Sequence, residues 1–303
     1  MNKWFVILNP VSGNNFVKKR KEKVLDSLQK LESPFEVAFT KYSKHEEELV
    51  ERAVKKGFKN FISVGGDGTL HHVLNGVMLQ KEIPVSEIKI GVIPVGTGND
   101  WVKNNFVPKN IEKAIEVLNR NNITKLDIGK LTHESQITYF NTLTGMGFDG
   151  YVVHKSNKLK KLGKIAYPVA SIFGFLTYKK CELSFAFNDK EISSKSLMAI
   201  IGLGKYCGGG MQLTTKVDSK DGLFDITLVK NISKISLFLN VKKMYNGKLA
   251  NLKKVEVYKT DKIKVKVLGE KVPFIQADGE IIGKGDFEVE ILPLKVSFVV
   301  GSN

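Results

Sequence analysis

Cysteine is almost missing from this 303-residue sequence: only Cys181 and Cys207 occur. Two cysteines make neither a disulfide framework nor a metal-ligand pattern. Both read as buried apolar side chains, and the chain as one suited to a reducing compartment. No apolar run is long enough to span a bilayer. The longest, Ile165 to Tyr178, contains Pro168 and Gly174 and falls short of a membrane helix. Flanked by Lys164 and Lys179-Lys180, it reads first as a buried helix and second as a membrane-contact segment. The opening Met1-Asn2-Lys3-Trp4-Phe5 runs straight into a strand-like pattern, without the charged and apolar regions of a secretory signal. A cytoplasmic protein is therefore expected. There is no Walker-type glycine–lysine loop and no protein-kinase signature set. Zinc-finger and RNA-binding signatures are also missing, as are internal repeats and low-complexity linkers. Acidic residues are outnumbered, 31 against 47 Lys and Arg, for a net charge of +16. Local clusters are Lys18-Lys19-Arg20-Lys21, Lys158-Leu159-Lys160-Lys161 and Lys253-Lys254. Such charge suits an anionic membrane face, and is equally a solvated surface. With no supporting motif, no nucleic-acid partner is expected.

What the sequence does contain is an alternation. Trp4 to Asn9, Phe35 to Thr40, Phe61 to Val64 and Ile88 to Val92 are short apolar runs with strand character. Helical spacing follows each: to about Leu31, over Glu46 to Lys56, through Leu70, Val73, Leu74 and Val77, and out to Arg120. Strand–helix alternation implies a parallel sheet covered by helices. Beyond about Thr124 the pattern becomes mostly strands, among them Leu197 to Leu203, Phe224 to Val229, Val255 to Tyr258, Lys262 to Val267, Phe287 to Ile291 and Val296 to Val300. Helical pattern there is limited to roughly Gly150 to Tyr178 and Ile232 to Tyr245. This half is expected to be an antiparallel β-sandwich. The expected division is residues 1–125 with about 294–303, and residues 126–293. From spacing alone, the last strand could join either half.

Turns rich in glycine follow the first, third and fourth strands, at the strand ends where ligands of parallel sheets sit. They are Asn9-Pro10-Val11-Ser12-Gly13, Gly65-Gly66-Asp67-Gly68-Thr69 and Gly96-Thr97-Gly98-Asn99-Asp100. Glycine permits close approach of another molecule, and helix-start N–H groups attract anions. Taken singly, each is a tight turn; their convergence favours phosphate binding. Carboxylates stand beside glycine at Asp67, Asp100, Asp149, Asp221 and Asp278-Gly279-Glu280. Phosphoryl transfer needs such groups to hold a divalent cation or accept a proton, though any one of them is also ordinary turn chemistry.

In order, these three turns resemble the diacylglycerol kinase catalytic-domain family, which includes bacterial soluble diacylglycerol kinases and, more distantly, ceramide and sphingosine kinases. The resemblance extends through Asn141-Thr142-Leu143-Thr144-Gly145-Met146-Gly147-Phe148-Asp149 and Tyr206-Cys207-Gly208-Gly209-Gly210-Met211. It extends further through Asp218-Ser219-Lys220-Asp221-Gly222-Leu223-Phe224-Asp225 and Gln276-Ala277-Asp278-Gly279-Glu280. It implies an α/β N-terminal domain like those of NAD kinases and phosphofructokinases, a β-sandwich C-terminal domain, ATP in the cleft between them, and a last strand returning to the first domain. Asn9, Ser12, Gly13, Gly65, Gly66, Gly68, Thr69, Gly96 and Thr97 would line the nucleotide site, with Thr40 a less secure match. Asp67, Asp100, Asp127 and Asp278 match aspartates that organise catalytic Mg2+. Glu280 matches the general base that takes the proton of a lipid hydroxyl. Asp218, Asp221 and the main-chain oxygen of Leu223 match a structural Mg2+ site; read without the family, Lys220-Asp221-Gly222 is a hairpin turn.

Two departures stand out. His72 occupies a position where the family usually has an acid, and Asn14-Asn15 replaces a further glycine after Gly13. The expectation is an ATP- and Mg2+-dependent lipid kinase acting on diacylglycerol, docked peripherally on an anionic membrane, with a homodimer as a family possibility. Alternatives are a same-fold kinase for a sphingoid base, ceramide, phosphatidylglycerol or a soluble metabolite such as NAD, and a non-catalytic lipid- or nucleotide-binding regulator. The Gln276 to Glu280 block weighs against NAD.

Overall fold

Strand β1 (Trp4–Leu8) is buried at every residue. Its neighbours are β2 (Phe35–Phe39) and β3 (Asn60–Gly65), both parallel to it, and β4 (Lys89–Pro94) lies parallel to β3. A strand buried on both faces needs helices above and below, and the sequence supplies them. In the helix His45–Lys55, Leu49, Val50, Ala53 and Val54 form the buried face, while Glu46, Glu47 and Glu48 sit at its positive N-terminal end. The helix Ile111–Arg120 buries Ala114, Ile115, Val117 and Leu118; the Asn110 side chain caps it by accepting from the Lys113 N–H, and Asn121 ends it in the left-handed conformation. The coordinates are a computed structural model that describes residues 3–13, 21–96, 98–159, 169–171, 174, 177–215 and 217–302. Most of Ile165 to Tyr178, the residue Thr97, and most of the cluster at 18–21 lie outside the described residues.

The chain divides into two compact units, residues 1–128 with 293–303, and residues 129–292. The first unit is the parallel α/β sheet, with strand order β2-β1-β3-β4. The second is an antiparallel β-sandwich. One of its sheets has the order β12 (Val255–Thr260), β11 (Phe224–Val229), β10 (Met198–Gly202), β7 (Leu143–Gly147), β14 (Phe274–Ala277), β15 (Glu280–Lys284). The other sets β13 (Lys262–Val267) between β8 (Cys181–Phe187) and the first half of β16 (Phe287–Val299), with β9 (Lys190–Ser196) beyond β8. Phe185, Ile200, Ile226, Val265 and Val289 are fully buried members of one core.

Several details differ from the sequence reading. Phe287 to Ile291 and Val296 to Val300 are one strand, β16, which pairs antiparallel with β13 and then parallel with β4 through Ser297 and Phe298. Its exposed middle around Pro293 broke the apolar pattern in the sequence. Polar β9 carried no apolar alternation to announce it. The helical stretch from Ile232 to Tyr245 is two short helices, Lys234–Leu239 and Val241–Tyr245. Both cysteines are buried and free, as expected. Among the described residues no helix is long and apolar enough to cross a membrane.

One glycine is needed for packing. In the hairpin of β5 (Ile123–His133) and β6 (Gln136–Phe140), Gly129 is the cross-strand partner of Phe140, whose ring covers it and stacks on Phe224 at 5.9 Å. A Cβ on Gly129 would lie 2.1 Å from the ring. Phe140 and Phe224 are fully buried, so the ring has nowhere to retreat. Gly129→Ala is expected to destabilise the protein by about 1–3 kcal/mol, measured as a fall in the denaturant midpoint.

Candidate active site

Adjacent parallel strands put their carboxyl ends side by side, so the turns after β1, β3 and β4 meet. The Gly65 carbonyl accepts from the N–H groups of Val95 (2.9 Å) and Gly96 (3.2 Å). This draws the two glycine turns together until a Cβ on Gly96 would stand 2.3 Å from the Gly66 Cα. No other residue tolerates that approach. The Asn99 side chain, with its backbone at φ 55°, donates to the Gly96 carbonyl at 2.8 Å and closes the third turn.

Asp67 opens the helix Asp67–Leu79 and faces the third turn. Its carboxylate accepts from the N–H groups of Asp100 and Trp101, both at 3.2 Å. Asp67 thereby caps the short helix Asp100–Asn104. The buried Trp101 ring packs on Phe298 of β16, with centroids 4.9 Å apart, and fixes that helix in place. Lys109 donates to the Gly98 carbonyl at 3.4 Å and brings a cation to the third turn.

Thr69 joins the first turn to the second. Its hydroxyl accepts from the Asn9 side-chain amide at 3.1 Å and lies 3.3 Å from the Ser12 hydroxyl. Asn9 Nδ2 also donates to Glu46 at 3.2 Å, while Asn9 Oδ1 accepts from the Val11 N–H. Glu46 is buried, and burial raises its carboxyl above the usual range. This carboxylate was not singled out from the sequence, where it looked like one of three helix-start acids. Thr40 closes β2 with its N–H on the Leu8 carbonyl and a buried side chain. His72, the departure from family habit, is buried on the helix Asp67–Leu79 and lies 2.9 Å from Glu47 through Nδ1. It is a partnered residue, not a bystander on an open face. Asp127 is buried on β5 and accepts from the Leu294 N–H at 2.7 Å.

The candidate residues of the second unit fall into two groups. Asp278 and Gly279, with φ 48° and 84°, form the two-residue connection of the β14–β15 hairpin, as expected for Asp-Gly. The Asp278 carboxylate accepts from three successive N–H groups, those of Asn141, Thr142 and Leu143, at 2.9 to 3.2 Å. Gln276 secures the hairpin from within: its Oε1 accepts from the Gly279 N–H at 2.9 Å and its Nε2 donates to Asp149 at 2.6 Å. Glu280 follows the tip, half-buried at the start of β15.

The other group is an exposed loop before β11. Asp218 and Asp221 each accept from the N–H two residues ahead, those of Lys220 and Leu223, at 3.0 Å. Asp221 also pairs with the ammonium of Lys259. Among the described residues, no three Asp, Glu, His or Cys side chains cluster as a metal cage. A magnesium ion here would be held by one or two carboxylates, a main-chain oxygen and water. That oxygen-only set fits magnesium, which commonly keeps several waters. Lys259 supplies the positive charge on Asp221 in this structure.

Converging glycine turns on a parallel sheet, with carboxylates among them and a β-sandwich following in sequence, define a phosphotransferase class. Residues 3–131 match the diacylglycerol kinase catalytic domain, and residues 142–300 match the YegS C-terminal NAD kinase beta sandwich-like domain. The chain belongs to the diacylglycerol kinase family of lipid kinases. It is 26% identical over 309 residues to YtlR of Bacillus subtilis (strain 168), provisionally named a lipid kinase, covering 97% of this chain and 98% of that one. It is 30% identical over 227 residues to a diacylglycerol kinase of Staphylococcus epidermidis (strain ATCC 12228 / FDA PCI 1200), covering 74% and 69%. A crystal structure of a diacylglycerol kinase from Bacillus anthracis str. Sterne shares the fold, with a TM-score of 0.74, 20% identity and coverage of 99% and 97%.

Asp149 carries a consequence for stability. It is buried beside Gln276, and burial lifts its carboxyl to about 6. Between about pH 4 and 6 the folded chain holds a proton that the unfolded chain has released, so this group's contribution to stability falls as pH rises through that window. The full drop is about 3 kcal/mol. Asp149→Asn keeps a partner for Gln276 and has no proton to lose. In denaturation series from pH 4 to 7, the variant is expected to gain on the wild type as pH rises; parallel curves would contradict this.

Proposed function

We propose that the protein transfers the γ-phosphoryl group of ATP to the hydroxyl of diacylglycerol, giving phosphatidic acid, with Mg2+ bound. The observation that supports this most is the joining of three glycine-bearing turns through the Gly65 carbonyl and Thr69. The helix-start N–H groups of Gly68 and Thr69 and the open backbone of Gly66 and Gly96 receive the nucleotide phosphates. Asn9, Ser12, Gly13, Gly65, Thr40 and Thr97 complete that surface in the proposal. Asp67 and Asp100 would hold the magnesium in this reading, while Asp67 also keeps the third turn in place; Asp127 and Asp278 are assigned to magnesium by the family match alone. Magnesium, when bound, supplies charge neutralisation at the phosphates.

Glu280 accepts the proton of the lipid hydroxyl as the hydroxyl oxygen bonds to the γ-phosphorus and the bond from that phosphorus to the β-phosphate oxygen breaks, releasing ADP. A hydroxyl becomes a good nucleophile only as that proton leaves. The role needs a carboxylate on a firm support, and the anchoring of the hairpin by Asp278 and Gln276 supports this reading. Asp218, Asp221 and Leu223 form a structural magnesium loop in this reading. The protein works in the cytoplasm and meets its lipid by peripheral contact with an anionic membrane, which the +16 charge supports.

The reading is tested with labelled ATP and diacylglycerol in mixed micelles. Glu280→Ala is expected to lower kcat by about 100-fold or more, a range general-base loss commonly produces, and Asp67→Ala to lower kcat through loss of the magnesium carboxylate and of the cap on the third turn. Product identification across diacylglycerol, sphingoid base, ceramide, phosphatidylglycerol and NAD fixes the acceptor. Full activity in both variants would contradict the assignment.

A further inference from the structure

Between Asp225 and Glu256 the chain has no acidic residue and seven lysines. The same segment forms the paired short helices Lys234–Leu239 and Val241–Tyr245, joined by Asn240. Their attachment is well defined. Ile232, Met244 and Leu249 are buried, and Gln212 binds the second helix through its N–H on the Met244 carbonyl (2.6 Å) and its side chain on the Tyr245 carbonyl (2.7 Å). The other side is turned outward. Ile235 and Leu239, one helical turn apart, are each 74% exposed; Tyr245 is 51% and Val241 42% exposed. Among the described residues, Lys242, Lys243, Lys248, Lys253 and Lys254 make no ion pair, while Lys230 pairs with Glu256.

Exposed leucine and isoleucine on a helix pair that carries Lys242 and Lys243 and is followed in sequence by Lys248, Lys253 and Lys254 suit a partner that offers both an apolar phase and negative charge. We propose that this helix pair is the surface on which the protein docks on an anionic lipid bilayer. Ile235, Leu239, Val241 and Tyr245 enter the acyl boundary, and the lysines lie at the headgroups. The proposal deepens the lipid-kinase reading and rests on it. A second copy of the chain is the poorer occupant: a twofold contact places each patch on itself, setting lysines against lysines, which is repulsive.

The test is flotation of the full chain with vesicles of phosphatidylglycerol and phosphatidylcholine, against phosphatidylcholine alone, at low and high salt. The wild type should float with the anionic vesicles and release with salt. Each lysine at an anionic surface is worth about a fivefold gain in partitioning, so Lys242→Glu with Lys243→Glu should weaken binding at least about tenfold. Ile235→Ser with Leu239→Ser should weaken it at low salt, where the wild type floats, although it leaves every lysine in place. A short-chain diacylglycerol dissolved below its micelle concentration should be phosphorylated at wild-type rate by both variants. As a reading that needs no loss, Leu239→Trp should shift its emission to the blue on adding anionic vesicles. An unshifted emission together with unchanged flotation overturns the docking surface. So does a wild-type dimer that the substitutions dissociate while flotation stays intact, since the patch would then be an interface between copies. A wild type that floats as described yet phosphorylates no lipid would count against the kinase reading instead.

Discussion

The contact on which the candidate site depends is backbone on backbone. The Gly65 carbonyl takes the N–H groups of Val95 and Gly96, and the Gly66 and Gly96 chains close to a distance that excludes any Cβ. Everything else at the carboxyl ends of the first unit's strands is arranged around it. Asp67 can cap the helix at Asp100 only because the third turn is held against the second. Thr69 can gather Asn9 and Ser12 only because the first turn stands on the neighbouring strand. A parallel sheet supplies the alignment and the glycines supply the approach. The polar side chains then lock a geometry that backbone has already set.

The second unit solves a similar problem with different parts. An Asp-Gly hairpin tip is normally a solvated turn. Here Asp278 takes three successive N–H groups from the β6–β7 connection, and Gln276 ties the tip to the buried Asp149. Glu280 is therefore carried on a stiff support. That Asp149 sits there as a buried carboxyl near 6 means that the support loses stability as pH rises through about 4 to 6.

Much of this was legible in the sequence, for identifiable reasons. Alternating apolar runs and helical spacing gave the parallel sheet, and the dense strand pattern gave the antiparallel sandwich, because both halves bury apolar residues with a regular period. The three turns were visible because glycine and asparagine cannot be exchanged freely there. Less legible was whatever depended on polar contacts between distant residues. Glu46 looked like any helix-start acid until it proved to be buried on Asn9. His72 was visible as a departure from family habit, but its contact with Glu47, from another helix, was not. Polar β9 and the exposed middle of β16 escaped because a strand without alternation leaves no periodic trace.

The central claim is that the closure of the two glycine turns creates the nucleotide site. Calorimetric titration of ATP into wild type and Gly96→Ala, each confirmed folded by its unfolding transition, tests it most directly. The account predicts that the added methyl, 2.3 Å from the Gly66 Cα, abolishes measurable ATP binding while the second unit stays folded. A Gly96→Ala protein that binds ATP as tightly as wild type would contradict it.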